Sequence, residues 1–182
     1  MRRILTLLVA ATTAALSVVG CGSDGDSSPT GAAGASSATQ CVGIYADKSA
    51  SAFADALDAT KACADDAATL CSNDMVSIVG TCGKTCALQA AQTEAAQAEC
   101  NASCIAEKIP STSKALSEAC VGCYTNDVGC ARVKCFTECL TPASEACAVC
   151  RVENGCASAF YQCSGLPSPT GSSPGAGGEG GS

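Results

Sequence analysis

The chain has no histidine and no tryptophan, and only six of its 182 residues are aromatic: Tyr45, Phe53, Tyr124, Phe136, Phe160 and Tyr161. Without histidine it lacks the side chain most used as a general base near neutral pH and as a metal ligand. Positive charge is also scarce. Ten Lys and Arg stand against seventeen Asp and Glu, a net charge of −7. Lys48, Lys61, Lys84, Lys108, Lys114, Arg132, Lys134 and Arg151 are scattered along the chain. Recognition of nucleic acid needs a basic stripe, so no nucleic-acid partner is expected. Strand-like content is confined to residues 75–79, too short and isolated to pair. Large apolar side chains, which supply most of a small domain's burial free energy, are few. The 47% hydrophobic content is mostly Ala and Cys, and the core is expected to be thin.

What the chain has instead is cysteine, seventeen of them, in a duplicated pattern. Ser117-Glu118-Ala119-Cys120-Val121-Gly122-Cys123 is answered by Ser144-Glu145-Ala146-Cys147-Ala148-Val149-Cys150. Each copy then runs through polar residues into Gly-Cys-Ala, at 129–131 and 155–157. Such density in a small chain points to a disulfide framework in an oxidising compartment. Each bridge contributes about 2–4 kcal/mol, so a few match the ~5–15 kcal/mol net stability of an ordinary domain.

The ends fit the same compartment. Arg2-Arg3 followed by the apolar run 4–19 has the layout of an export signal, too short and too rich in Thr and Ala to span a membrane as a helix. Val18-Val19-Gly20-Cys21 resembles the lipobox of bacterial lipoproteins. The resemblance implies cleavage before Cys21, a diacylglyceryl thioether on its sulfur and an acylated amino terminus, typically carrying palmitate. Several acyl chains give lasting membrane attachment where one is marginal. Gly22, where Asp would favour inner-membrane retention, points to the outer membrane. Residues 1–20 are thus expected to be the signal peptide and 21–40 the lipidated Cys with a flexible linker of Gly, Ser, Ala, Thr and Asp. Residues 41–163 form the cysteine-rich body, with all sixteen other cysteines, and 164–182 a Gly/Ser/Pro tail with too little apolar surface to order itself.

The body reads as all-α: a disulfide-stapled array of short antiparallel helices with a C-terminal helical-hairpin duplication. Helices are expected over 47–71 and 85–109, the latter stopped by Pro110. Shorter ones are expected at 113–124, 128–140, 142–153 and 156–162, bounded by Asn126-Asp127, Thr141-Pro142 and Asn154-Gly155. Cys82, Cys86, Cys100 and Cys104 fall within roughly 40° of one another at 100° per residue. Cysteines one turn apart have Cβ atoms about 5–6 Å apart, beyond the ~3.8 Å of a disulfide, so they must reach across to other helices. Nesting between antiparallel helices gives Cys123–Cys130 and Cys120–Cys135 in the first copy, Cys150–Cys156 and Cys147–Cys163 in the second, and Cys71–Cys82 and Cys63–Cys86 before them. Cys41, Cys100, Cys104 and Cys139 are left unassigned, because spacing does not determine connectivity.

The whole pattern resembles the small cysteine-rich lipoproteins of Gram-negative bacteria, whose members share no activity that transfers. Several constellations have plainer readings. Cys120-x-x-Cys123 with Cys147-x-x-Cys150 has zinc-site spacing, but the crowding cysteines and the oxidising compartment favour disulfides. The i,i+4 pairs Cys82/Cys86, Cys100/Cys104 and Cys135/Cys139 would suit a thiolate-based Cu(I) store if they were reduced. Gly80-Thr81-Cys82-Gly83-Lys84-Thr85 is half a phosphate loop, Ser111-Thr112-Ser113-Lys114 an SxxK without its companion motifs, and Asn101-Ala102-Ser103 an unused sequon. Asp55, Asp58, Asp65 and Asp66 read as a solvated helix face. No catalytic residue, metal site or cofactor is assigned, and the chain is not expected to be an enzyme. The expected partners are membrane lipid through Cys21 and an envelope protein or surface ligand. The candidate contact surface is Tyr124-Thr125-Asn126-Asp127 with Arg151-Val152-Glu153-Asn154.

Overall fold

A computed structural model describes residues 39–89 and 93–169. Cys21, residues 1–38 and the tail from 170 lie outside the described residues. Among the described residues seven helices form: α1 (Ala50–Asp55), α2 (Ala67–Ser72), α3 (Met75–Ala87), α4 (Glu94–Lys108), α5 (Glu118–Lys134), α6 (Glu145–Glu153) and α7 (Cys156–Ser164). Short 3-10 turns lie at Gly43–Tyr45, Ala64–Asp66 and Glu138–Leu140. One antiparallel bridge, Gln40 to Ser49, is the sole strand-like pairing among the described residues.

Local chemistry sets the helix starts. Ser49, Asp74, Thr93, Ser117 and Ser144 each accept the backbone N–H three residues on, at Ala52, Ser77, Ala96, Cys120 and Cys147, which satisfies one of the orphan donors of a first turn. The duplicated Ser-Glu-Ala-Cys is therefore a helix start in both copies. Buried Asp66 secures the first of them: its carboxylate accepts from Ser117 Oγ at 2.6 Å and from Ser117 N at 3.1 Å. Before Pro110, Ile109 turns extended (ψ 125°) and α4 stops.

Three expectations about the helices are corrected. The 47–71 helix is broken at Asp58, whose Oδ1 accepts from Thr60 N (2.9 Å) and Thr60 Oγ1 (2.7 Å) in a side-chain turn. The turn's backbone donates instead to the end of α7, Asp58 N to Gly165 O and Cys63 N to Ser164 O. Gly165 is required there, with φ +74° and a would-be Cβ 2.5 Å from Lys61 Cβ. The 85–109 helix is two helices, α3 ending at Ala87 and α4 restarting at the Thr93 cap. Residues 75–79 are the first turn of α3.

The two repeat copies differ in one respect. Asn126-Asp127 does not break the first copy, which continues as one helix, α5. Its Cys123 and Cys130 are seven residues apart, two turns and in phase. In the second copy the interval is one residue shorter, and Gly155 sits at φ +75° behind Asn154. There the chain reverses into an α6–α7 hairpin.

All sixteen cysteines of the body are bridged. The pairs are Cys41–Cys71, Cys63–Cys120, Cys82–Cys104, Cys86–Cys100, Cys123–Cys163, Cys130–Cys156, Cys135–Cys150 and Cys139–Cys147. None of the six expected pairs occurs. Cys123–Cys130 and Cys120–Cys135 fail because α5 is continuous, which separates them by roughly 10 and 22 Å along its axis. Cys150–Cys156 and Cys147–Cys163 fail because α7 packs on α5 and α6 faces the turn after α5, so each cysteine crosses to the other copy. Cys71–Cys82 and Cys63–Cys86 fail because α3 and α4 fold against each other, giving Cys82 and Cys86 mates on α4. Nesting does hold, between helices for 82–104 with 86–100 and 123–163 with 130–156, and between α6 and the turn after α5 for 135–150 with 139–147.

Six of the seventeen buried members of the core cluster are cysteine; Tyr45, Phe53, Leu70, Ile105, Leu116, Tyr124 and Phe160 supply most of the bulk. The cluster includes two aromatic pairs, Tyr45 with Phe53 (4.7 Å between centroids) and Tyr124 with Phe160 (4.9 Å).

Candidate functional site

Alpha-3 makes one wall of an open apolar groove of about 450 Å3, and α5 with the turn into α6 makes the other. Two glycines allow the walls to meet. A Cβ on Gly80 would lie 2.8 Å from Pro142 Cβ, and one on Gly83 3.1 Å from Val128 Cγ1. This is the role of the half phosphate loop: Gly80 and Gly83 lie inside a helix and serve close packing. The buried floor includes Tyr45, Met75, Val79, Tyr124 and Phe160. Tyr45 is fixed by donating its phenol proton to Pro167 O at 3.0 Å. Burial pushes the phenols of Tyr45, Tyr124 and Tyr161 up, so all three stay neutral at physiological pH.

The rim is where the scarce large apolar residues are spent. Nine such residues are exposed among the described ones, and six of them line this groove: Val42, Ile44, Val76, Leu88, Phe136 and Leu140. Leu88 is 72% exposed, Phe136 54% and Leu140 50%. The volume is within the range of small-molecule pockets, about 300–1,000 Å3. A second concavity, beside Cys150, is charged and shallow, lined by Lys134, Glu138, Glu145 and Glu153 among others.

The candidate contact residues are not two exposed turns. Tyr124 is buried in the groove floor, and Asp127 on α5 binds Arg151 on α6, with Arg151 Nη2 donating to Asp127 Oδ2 at 2.6 Å and Nε to Oδ1 at 3.3 Å. Tyr124, Asp127 and Arg151 all line the groove, while Val152, Glu153 and Asn154 point away from it and are exposed. Burial raises the Asp127 carboxyl above the ordinary range, and the guanidinium pulls it part of the way back. Asn154 Nδ2 donates to Cys150 O at 2.9 Å, beside the Cys135–Cys150 bridge.

The remaining motifs are absorbed by the fold. Asn101 of the sequon is buried on α4, with its Oδ1 unpartnered among the described residues. Ser113 and Lys114 of the SxxK lie in the α4–α5 connection, where Ser113 Oγ accepts from Asn73 Nδ2 (3.4 Å) and the Lys114 carbonyl from Thr69 Oγ1 (2.8 Å). Asp66 is a buried acceptor rather than part of a solvated face. Every cysteine with metal-like spacing has its sulfur in a bridge. Among the described residues no helix is long and apolar enough to cross a membrane. Sequence reasoning missed the groove because its walls come from segments far apart in the chain. The one signal available was the scarcity of large apolar residues, several of which recur at helical spacing from Met75 to Leu88. No family model, no curated protein and no solved structure matches the chain.

Proposed function

We propose that the protein is an extracytoplasmic lipoprotein, held at the cell envelope by acylated Cys21 and displayed on the linker that follows, whose body is a non-catalytic binding module with the α3–α5 groove as its site. The observation that carries this reading is the convergence of six of nine exposed large apolar residues on one groove. A chain so short of large apolar side chains gains most by burying them, and a contiguous exposed set marks an interaction site. The lipobox-like residues ending at Cys21, and Gly22 after it, support the anchor and an outer-membrane location. Eight bridges fit a compartment that keeps disulfides oxidised. A thiolate store for Cu(I) is less well supported, because a bridged sulfur has no thiolate to offer a soft metal.

Two measurements test the reading. Labelled palmitate fed to a bacterial host expressing the full chain is expected to enter the wild type and not Cys21→Ser, and incorporation in both would remove the anchor. An uncharged naphthalene dye that brightens in apolar surroundings is expected to bind the chain, and Leu88→Ser with Phe136→Ser to weaken it roughly tenfold. Dye binding unchanged by that pair would remove the groove as the site.

A further inference from the structure

Charge is distributed unevenly around the groove. Of the eight Lys and Arg among the described residues, Lys84, Arg132 and Arg151 line it; of the fourteen Asp and Glu, only Asp127 does. Asp127 and Arg151 neutralise each other. Lys84 and Arg132 remain, neither with an ion-pair partner among the described residues. An acidic protein has thus kept its acids off one surface and left two cations there. A place in the last turns of α3 and α5 suits a cation on its own, but it does not account for the missing acids.

The two cations line the same groove, one on each wall. Lys84 directly follows Gly83, which packs on Val128, and Arg132 lies one turn beyond Val128 on α5. Four residues after each comes an exposed large apolar side chain, Leu88 on one wall and Phe136 on the other. Leu88 is one helical turn past Lys84, and Phe136 lies just beyond the end of α5, so each wall offers a cation and an apolar side chain to the same groove, and the buried floor between them is aromatic and aliphatic. We infer that the groove takes a single-chain anionic amphiphile, a long-chain fatty acid, with its carboxylate between Lys84 and Arg132 and its hydrocarbon along the Leu88, Phe136 and Leu140 rim. The inference rests on the groove's being the binding site. A concave site of this volume suits one chain, whereas a bilayer needs a flat or convex face.

The test uses the exported full chain carrying Cys21→Ser, so that no acyl chain of its own competes, loaded with the uncharged naphthalene dye. Palmitate, its methyl ester and hexadecyltrimethylammonium are titrated against the dye below their aggregation thresholds. Palmitate is expected to displace it at a roughly tenfold lower concentration than either of the others, with the advantage shrinking as salt is added. Lys84→Gln with Arg132→Gln should abolish that advantage, and Lys84→Glu with Arg132→Glu should pass it to the cationic amphiphile, while the helical CD spectrum stays as in the wild type. Equal displacement by all three overturns the fatty-acid assignment while the groove stands as a site. Binding to anionic vesicles with no displacement by monomeric palmitate overturns it in favour of a membrane surface. A dye insensitive to Leu88→Ser with Phe136→Ser is a failure of the groove itself.

Discussion

Arg151 and Asp127 come from different copies of the duplicated segment and meet at 2.6 Å on the groove wall. The Asp127 side chain is 10% exposed and that of Arg151 27%, so removing the guanidinium strands a nearly buried carboxylate. Arg151→Met is expected to cost roughly 2 kcal/mol at pH 7, below the ~3–5 kcal/mol of a wholly buried pair because Arg151 is partly wet. The sign of its pH dependence follows from the direction of the shift. Asp127 already titrates above the ordinary carboxyl range in the folded protein through burial, and losing the guanidinium raises it further. Between the unfolded and the raised folded pKa the native state holds more protons, so stability climbs as pH falls through that window. The deficit against wild type should shrink on acidification in urea unfolding, and a deficit constant with pH would mean that Asp127 does not bear the cost. At this scale the sequence is half-readable. The polar residues of the pair are visible, but a turn and one more turn of helix look alike there, and which of the two forms decides whether Asp127 meets water or Arg151. The caps Ser117 and Ser144 are legible as well, each a serine three places before the first cysteine of its copy.

Alpha-3 and α4 show how one missed boundary changes everything downstream. The stripe of Cys82, Cys86, Cys100 and Cys104 is legible from periodicity, as is the nesting of antiparallel bridges. What the sequence conceals is that the stripe folds on itself, since neither Gly nor Pro occurs between 85 and 109 and the restart rests on the Thr93 hydroxyl alone. The result is a hairpin whose two bridges tie it only to itself. No bridge joins α3 directly to α5 or to the turn into α6, the groove's two walls. A bridge can be added where they meet, because an ideal Cβ on Gly83 lies 4.0 Å from Val128 Cβ, inside the about 3.5–4.5 Å that a disulfide needs. Gly83→Cys with Val128→Cys is expected to form a ninth bridge, found by peptide mapping, and to slow dye exchange roughly tenfold by fixing the walls. Unchanged exchange with the bridge in place would mean that the walls do not move for entry.

For the whole molecule, sulfur takes over the part that large side chains play elsewhere. The all-α class and the stapled core follow from composition, because an Ala- and Cys-rich chain has few other means of stability. Which cysteine meets which does not follow, since it depends on every helix end at once. Intact mass is expected to be sixteen hydrogens below the reduced formula for the body, with no alkylation until reductant is added. At about 2–4 kcal/mol per bridge, reduction and alkylation should erase most of the helical CD signal. Full helicity in the alkylated chain would show that packing alone suffices.

The crossing and nesting of the bridges bear on how the protein is made. A polypeptide delivered N-terminus first brings Cys63 to Cys41 before Cys71 has emerged, and Cys130 to Cys123 well before Cys163. Pairing by order of arrival therefore yields the wrong partners at both places. The native set has to wait until helices have formed, or until thiol–disulfide exchange has undone the early errors. Cys139 and Cys147, eight residues apart, are the pair best placed to close during synthesis itself.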